Sequence, residues 1–110
     1  MVSINSKKEI EHIIRDSKKY HTPNFLLSVH KAEHNLVRLA IIIPKKKVKR
    51  AVARNRLRRL VREVFITESS KLAGRDFLCL LKKAVGPEKW NFHTVYHQMK
   101  PVLEKIESDN

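Results

Sequence analysis

Apolar positions recur along this chain with two different periods. Ile10, Ile13 and Ile14 are spaced as on one face of a helix. Ser6-Lys7-Lys8-Glu9 stands ahead of them as a capping-box pattern, so a short amphipathic helix is expected there. Thr22-Pro23 ends that region. Residues 25–30 read as a strand and residues 36–43 as a second, linked through Lys31-Ala32-Glu33-His34-Asn35. The second is almost wholly apolar and rich in β-branched residues, which predicts a central strand, and Pro44 closes it.

A helical period returns from about residue 49 to 69. At about 100° per residue, Ala53, Leu57, Leu60, Val61 and Val64 share one stripe. Asn55, Arg58, Arg59 and Arg62 gather opposite, with Arg54 and Arg56 on the flanks. Gly74 marks a turn, and residues 76–81 read as a further strand with Lys82-Lys83 at its end. Gly86-Pro87 breaks the chain. Asn91 is placed to cap a last helix carrying Phe92, Val95, Met99, Val102 and Ile106. Pro101 predicts a kink or split of that helix near Lys100. The order of elements predicts an α+β sandwich built as one domain over residues 1–110.

Composition narrows the class. With 42% hydrophobic residues the chain can bury a core. Cys79 is the single cysteine, which excludes an intrachain disulfide and suits a reducing cytoplasm; it lies in an apolar run and reads as core. Met1-Val2-Ser3-Ile4-Asn5 lacks the apolar region of a signal peptide, and the longest apolar run, residues 39–43, is too short to span a bilayer.

Charge adds most. The net charge is +13, from 24 basic and 11 acidic residues. Residues 45–62 hold ten of those basic residues and no acid, leaving 14 basic against 11 acidic elsewhere. Charge runs on helices are ordinarily solvated faces. This one holds no acid within it, so no i,i+4 ion pair inside the run relieves its repulsion, and a polyanion would relieve it. Six of the nine arginines fall between positions 50 and 62, where planar guanidinium forks suit phosphate and bases. Asn55 adds an amide for a base edge or a 2′-hydroxyl. Lys45, Lys46, Lys47 and Lys49 add point charges ahead of the helix, whose N-terminus can also receive phosphate.

Other chemistries find little support. His93 and His97 are four apart on the last helix, but no third metal ligand is suggested nearby. Asp76, Glu63 and Glu68 are scattered and do not suit a two-metal site. Gly74 and Gly86 are the only glycines, so there is no phosphate loop. Trp90 and Tyr96 read as core or partly buried. A helix-turn-helix DNA-binding domain needs a short helix and tight turn before the basic helix, where this chain has an apolar, β-rich stretch. A protein-only nuclease lacks the carboxylates. A structural or ribosome-associated RNA-binding protein remains as an alternative.

The segment 38–63 resembles the signature of the bacterial ribonuclease P protein component. Lys45-Lys46, Arg54-Asn55-Arg56, Arg58-Arg59 and Arg62-Glu63 stand at that family's spacing, and Asp76-Phe77 through Lys82-Lys83 is similar to its last strand. The resemblance implies a two-layer αβββαβα sandwich with a left-handed crossover through the basic helix, against the usual hand. It implies a protein that assists an RNA catalyst, with bound magnesium, in removing the 5′ leader of precursor tRNA. The partners are then the catalytic RNA and precursor tRNA, with no DNA, no membrane, and no metal or cofactor held by the protein. The implied RNA-binding set is Lys45, Lys46, Lys49, Arg50, Arg54, Asn55, Arg56, Arg58, Arg59 and Arg62. The implied leader cleft, between the first helix and the sheet, is Ile10, Ile14, Phe25, Ser28 and Lys82. It departs from the family, where phenylalanines are common at the positions of Ile10 and Ile14 and an aromatic near Ser28; Ala40 replaces a common glycine.

Overall fold

A computed structural model of the chain describes residues 1–84 and 89–109, so the break expected at Gly86-Pro87 lies outside the described residues. The elements in order are β1 (Val2–Ser3), α1 (Lys7–Arg15), β2 (Lys18–His21), β3 (Phe25–Lys31), β4 (Val37–Ile42), α2 (Ala51–Thr67), α3 (Ser69–Leu72), β5 (Arg75–Leu81) and α4 (Phe92–Ser108). The five strands form one mixed sheet in the order β1-β4-β5-β3-β2. β5 lies at its centre, antiparallel to β3 and parallel to β4. Parallel neighbours cannot be joined by a hairpin, so the chain crosses from β4 to β5 through α2 and α3.

Strand alternation sorts the sheet residues onto two faces. Phe77 stands between Val29 and Leu39, and Cys79 between Leu27 and Ile41. These pack with Leu57, Val61, Val64 and Phe65 of α2 and with Val95, Met99, Leu103 and Ile106 of α4 in the main core. The residues between them point the other way. Ala40 and Leu78 meet Ile13 of α1 and Ile4 in a smaller cluster. The expected sandwich of sheet and helices is present, with α1 added as a partial third layer on the second face.

The helix ends follow local chemistry. Ser6 Oγ accepts from the Glu9 backbone N–H at 3.4 Å, but the Glu9 carboxylate turns away to Arg38, so only half of the expected capping box forms. At α4, Asn91 and Thr94 cap each other reciprocally. That helix runs unbroken through Pro101, contrary to the expected split. The carbonyl that Pro101 leaves without an N–H partner belongs to His97, and both residues are exposed.

Gly74 makes the turn into β5 with φ of +83°, its N–H donating to the Leu36 carbonyl at 2.8 Å. A Cβ there would stand 3.2 Å from the His34 carbonyl oxygen. Gly74→Ala is therefore expected to destabilise the fold by about 1–2 kcal/mol, read as a lower urea midpoint.

Cys79 is wholly buried, and burial pushes its thiol far above the ordinary range. The native protein is expected to resist aqueous thiol reagents that react at once with the urea-unfolded chain.

Candidate nucleic-acid interface

The buried stripe of α2 is the structural reason its cations point outward. Leu57, Val61, Val64 and Phe65 are fully enclosed, and Ala53 and Leu60 pack beside them. Asn55, Arg56, Arg59 and Arg62 are exposed on the other side, with Lys45, Lys46, Lys47, Lys49 and Arg50 exposed just ahead of the helix. Arg58 is half-buried. Among the described residues none of these cations has a carboxylate partner.

The start of α2 concentrates this charge. Its N-cap is Arg50, no side chain caps it, and its first turn holds no acid. Positive side chains thus sit where the helix already presents backbone N–H groups and the positive end of its dipole.

The individual cations differ. Arg54 folds back, its Nη1 donating to the carbonyls of Val48 at 3.0 Å and Lys49 at 2.8 Å, so it also braces the segment ahead of the helix. Arg58 donates to Asn55 Oδ1 at 3.2 Å. Arg62 donates to Ser3 Oγ at 2.7 Å, and a shallow groove between the β1 edge and α2 is lined by Ser3, Asn5, Arg58 and Arg62. Ser3 and Asn5 carry no signal in the sequence, because only the pairing of β1 with β4 brings them beside the helix. Arg56 and Arg59 have no protein partner among the described residues and offer whole guanidinium forks.

The sheet face under α1 is a second surface, and it departs from expectation. Phe25 does not line it. It is fully buried on the opposite face, where it packs against Trp90 at 5.6 Å. Its neighbour Leu26 takes the α1 side, paired with Leu80, and both are partly exposed. Ser28 is on this face but buried. Ile10 is half-buried against the sheet, while Ile14 is half exposed at 48%. Lys82 stands at the end of the face with Nζ 2.7 Å from His21 Nδ1. At the other end Asp76 is held by His34 at 2.8 Å and by Arg38, which also takes Glu9 and so ties α1 to the sheet.

A ribonuclease P family model matches residues 2–107. The chain belongs to the ribonuclease P protein component family. Curated ribonuclease P protein components align with it over most of its length. The one from Ureaplasma parvum is 35% identical over 81 residues, covering 74% of this chain and 72% of its own. The one from Acinetobacter baylyi is 34% identical over 89 residues, covering 81% and 66% respectively. One from Vibrio campbellii is 31% identical over 74 residues, so this chain matches 63% of that relative's length. Solved RNase P proteins share the fold. That of Staphylococcus aureus superposes with a TM-score of 0.84 at 20% identity over 100% of this chain and 99% of its own. That of Thermotoga maritima gives 0.83 at 23% identity over 96% and 97%. In this ribonuclease P family member, no helix among the described residues is long and apolar enough to cross a membrane.

Proposed function

We propose that this chain is the protein subunit of a cytoplasmic ribonuclease P ribonucleoprotein. It binds the catalytic RNA through the outward face of α2 and assists removal of the 5′ leader from precursor tRNA. The carrying observation is the set of cations, none with a carboxylate partner among the described residues, that a buried apolar stripe holds toward solvent. Such a surface repels itself in isolation and is relieved by RNA phosphates.

The leader would lie along the α1 side of the sheet, where Leu26, Leu80 and Ile42 are partly exposed and His21 and Lys82 supply polar ends. Aliphatic side chains there pack against bases and ribose without the stacking that aromatics provide.

Among the described residues, three carboxylates are already engaged and do not form a magnesium cradle. Asp76 is taken by His34 and Arg38, Glu9 by Arg38, and Glu68 by Tyr96 and Lys71. Magnesium would be held mainly by the RNA, which supplies the hydrolytic chemistry. The protein's part is to lower phosphate repulsion where the two RNAs meet, so that the ion is held at lower concentration.

Leader cleavage by the cognate catalytic RNA at low magnesium tests this. Adding the protein is expected to raise the rate on the order of tenfold or more, about 1.4 kcal/mol of barrier. Equal rates with and without it would leave an RNA-binding protein with no part in the reaction.

A further inference from the structure

His12 on α1, Asp16 at its C-terminal cap and His30 on β3 converge at the surface, far along the chain from the basic helix. One ligating atom of each lies within 4.8 Å of the others. The His12 and His30 rings meet edge to face, 4.9 Å between centroids. His30 Nδ1 is 2.8 Å from the Asp16 carbonyl oxygen and 3.9 Å from its Oδ2. A carbonyl can only accept, so this nitrogen carries the proton in that contact, and in the neutral ring Nε2 is then the nitrogen with a lone pair for a metal. A backbone carbonyl on one ring nitrogen is the partner that orients metal-binding histidines.

The carboxylate is not spent on a neighbouring cation. Lys18 goes to Asp109 at 3.2 Å, and Lys19 to the Ile14 carbonyl at 3.0 Å and Ser17 Oγ at 2.6 Å. Asp16 therefore has no lysine or arginine partner among the described residues. His12 and Asp16 are exposed, so the position is open to solvent.

We propose that His12, Asp16 and His30 bind one zinc-type divalent transition-metal ion. Two imidazoles and one carboxylate suit zinc in preference to magnesium or calcium, and three protein ligands leave a fourth position for water. The ion would staple the end of α1 to β3. This departs from the expectation that the protein holds no metal. His12 and Asp16 stand four apart on one helix and its cap, but His30 comes from β3, so only the fold brings the third residue to the pair. The inference does not depend on the function proposed above.

His93 and His97 provide an internal control, with Nε2 atoms 2.9 Å apart but only two ligands on one helix. The test is calorimetric titration of untagged, metal-stripped protein with zinc chloride, with cobalt absorption as a second readout. One zinc is expected to bind with affinity lowered about tenfold or more in His12→Ala and in Asp16→Asn. The tetrahedral cobalt bands should be lost in both. The double change His93→Ala/His97→Ala should leave zinc and cobalt binding intact. Both ligand variants alter exposed side chains, and an unchanged far-ultraviolet circular dichroism spectrum checks their folding. Zinc binding unaltered in His12→Ala and Asp16→Asn, lost only in the His93/His97 variant, or absent from the parent would overturn the site.

Discussion

Phe65→Ala is expected to lower the free energy of unfolding by about 3–5 kcal/mol. Phe65 is fully buried on α2 and meets Phe77 of the central strand edge to face, with ring centroids 5.1 Å apart. Truncation removes both that ring pairing and the apolar surface it buries, and leaves a cavity between α2 and β5. A domain of this size is stable by about 5–15 kcal/mol in total. The loss is therefore a large fraction, and the urea midpoint should fall sharply. Ile66, the next residue, is 54% exposed, and Ile66→Ala should move the midpoint little. Equal effects at 65 and 66 would mean that α2 turns a different side to the sheet. Its cationic face would then be turned with it.

Replacing Arg56, Arg59 and Arg62 together by alanine should weaken binding to the catalytic RNA roughly a hundredfold or more, at about 1 kcal/mol for each phosphate gripped. The three residues follow one another at i+3 along the exposed side of the helix. Arg56 and Arg59 have no internal partner among the described residues, and Arg62 has one hydrogen bond to Ser3. Their removal should change stability by less than about 1 kcal/mol. It should also flatten the slope of log affinity against log salt by about 0.7–0.9 for each phosphate no longer neutralised. Lower affinity with an unchanged slope would point to distortion of the site and not to missing charge.

What can be read from the sequence depends on whether a signal is local. The α2 stripe is visible because Leu57, Val61 and Val64 recur with the helical period beside cations that cannot be buried. Phe65 extends that stripe at i+8 from Leu57, one residue past the last position the wheel assigns to it. β1 and β2 give almost no signal. β1 has two residues and exists through its parallel pairing with β4, and β2 buries only Tyr20 among polar neighbours. The face of β3 is illegible for a different reason. Phe25-Leu26-Leu27 is apolar at consecutive positions, so alternation cannot say which residue faces α1. Pairing with β5 decides it, and sends Phe25 to the main core and Leu26 to the α1 side. Arg54 groups with the other cations by sequence, yet its two hydrogen bonds to backbone carbonyls depend on how residues 44–50 turn ahead of the helix.

The most direct test of the α2 interface is site-directed crosslinking. Cys79 is buried, so a single added thiol can be labelled with a photoactivatable group in the native protein. Placed by Arg59→Cys on α2, the label should crosslink to the catalytic RNA. Placed by Glu104→Cys on the exposed side of α4, it should give far less product. Crosslinking from position 104 that equals or exceeds that from position 59 would contradict an RNA interface built on α2.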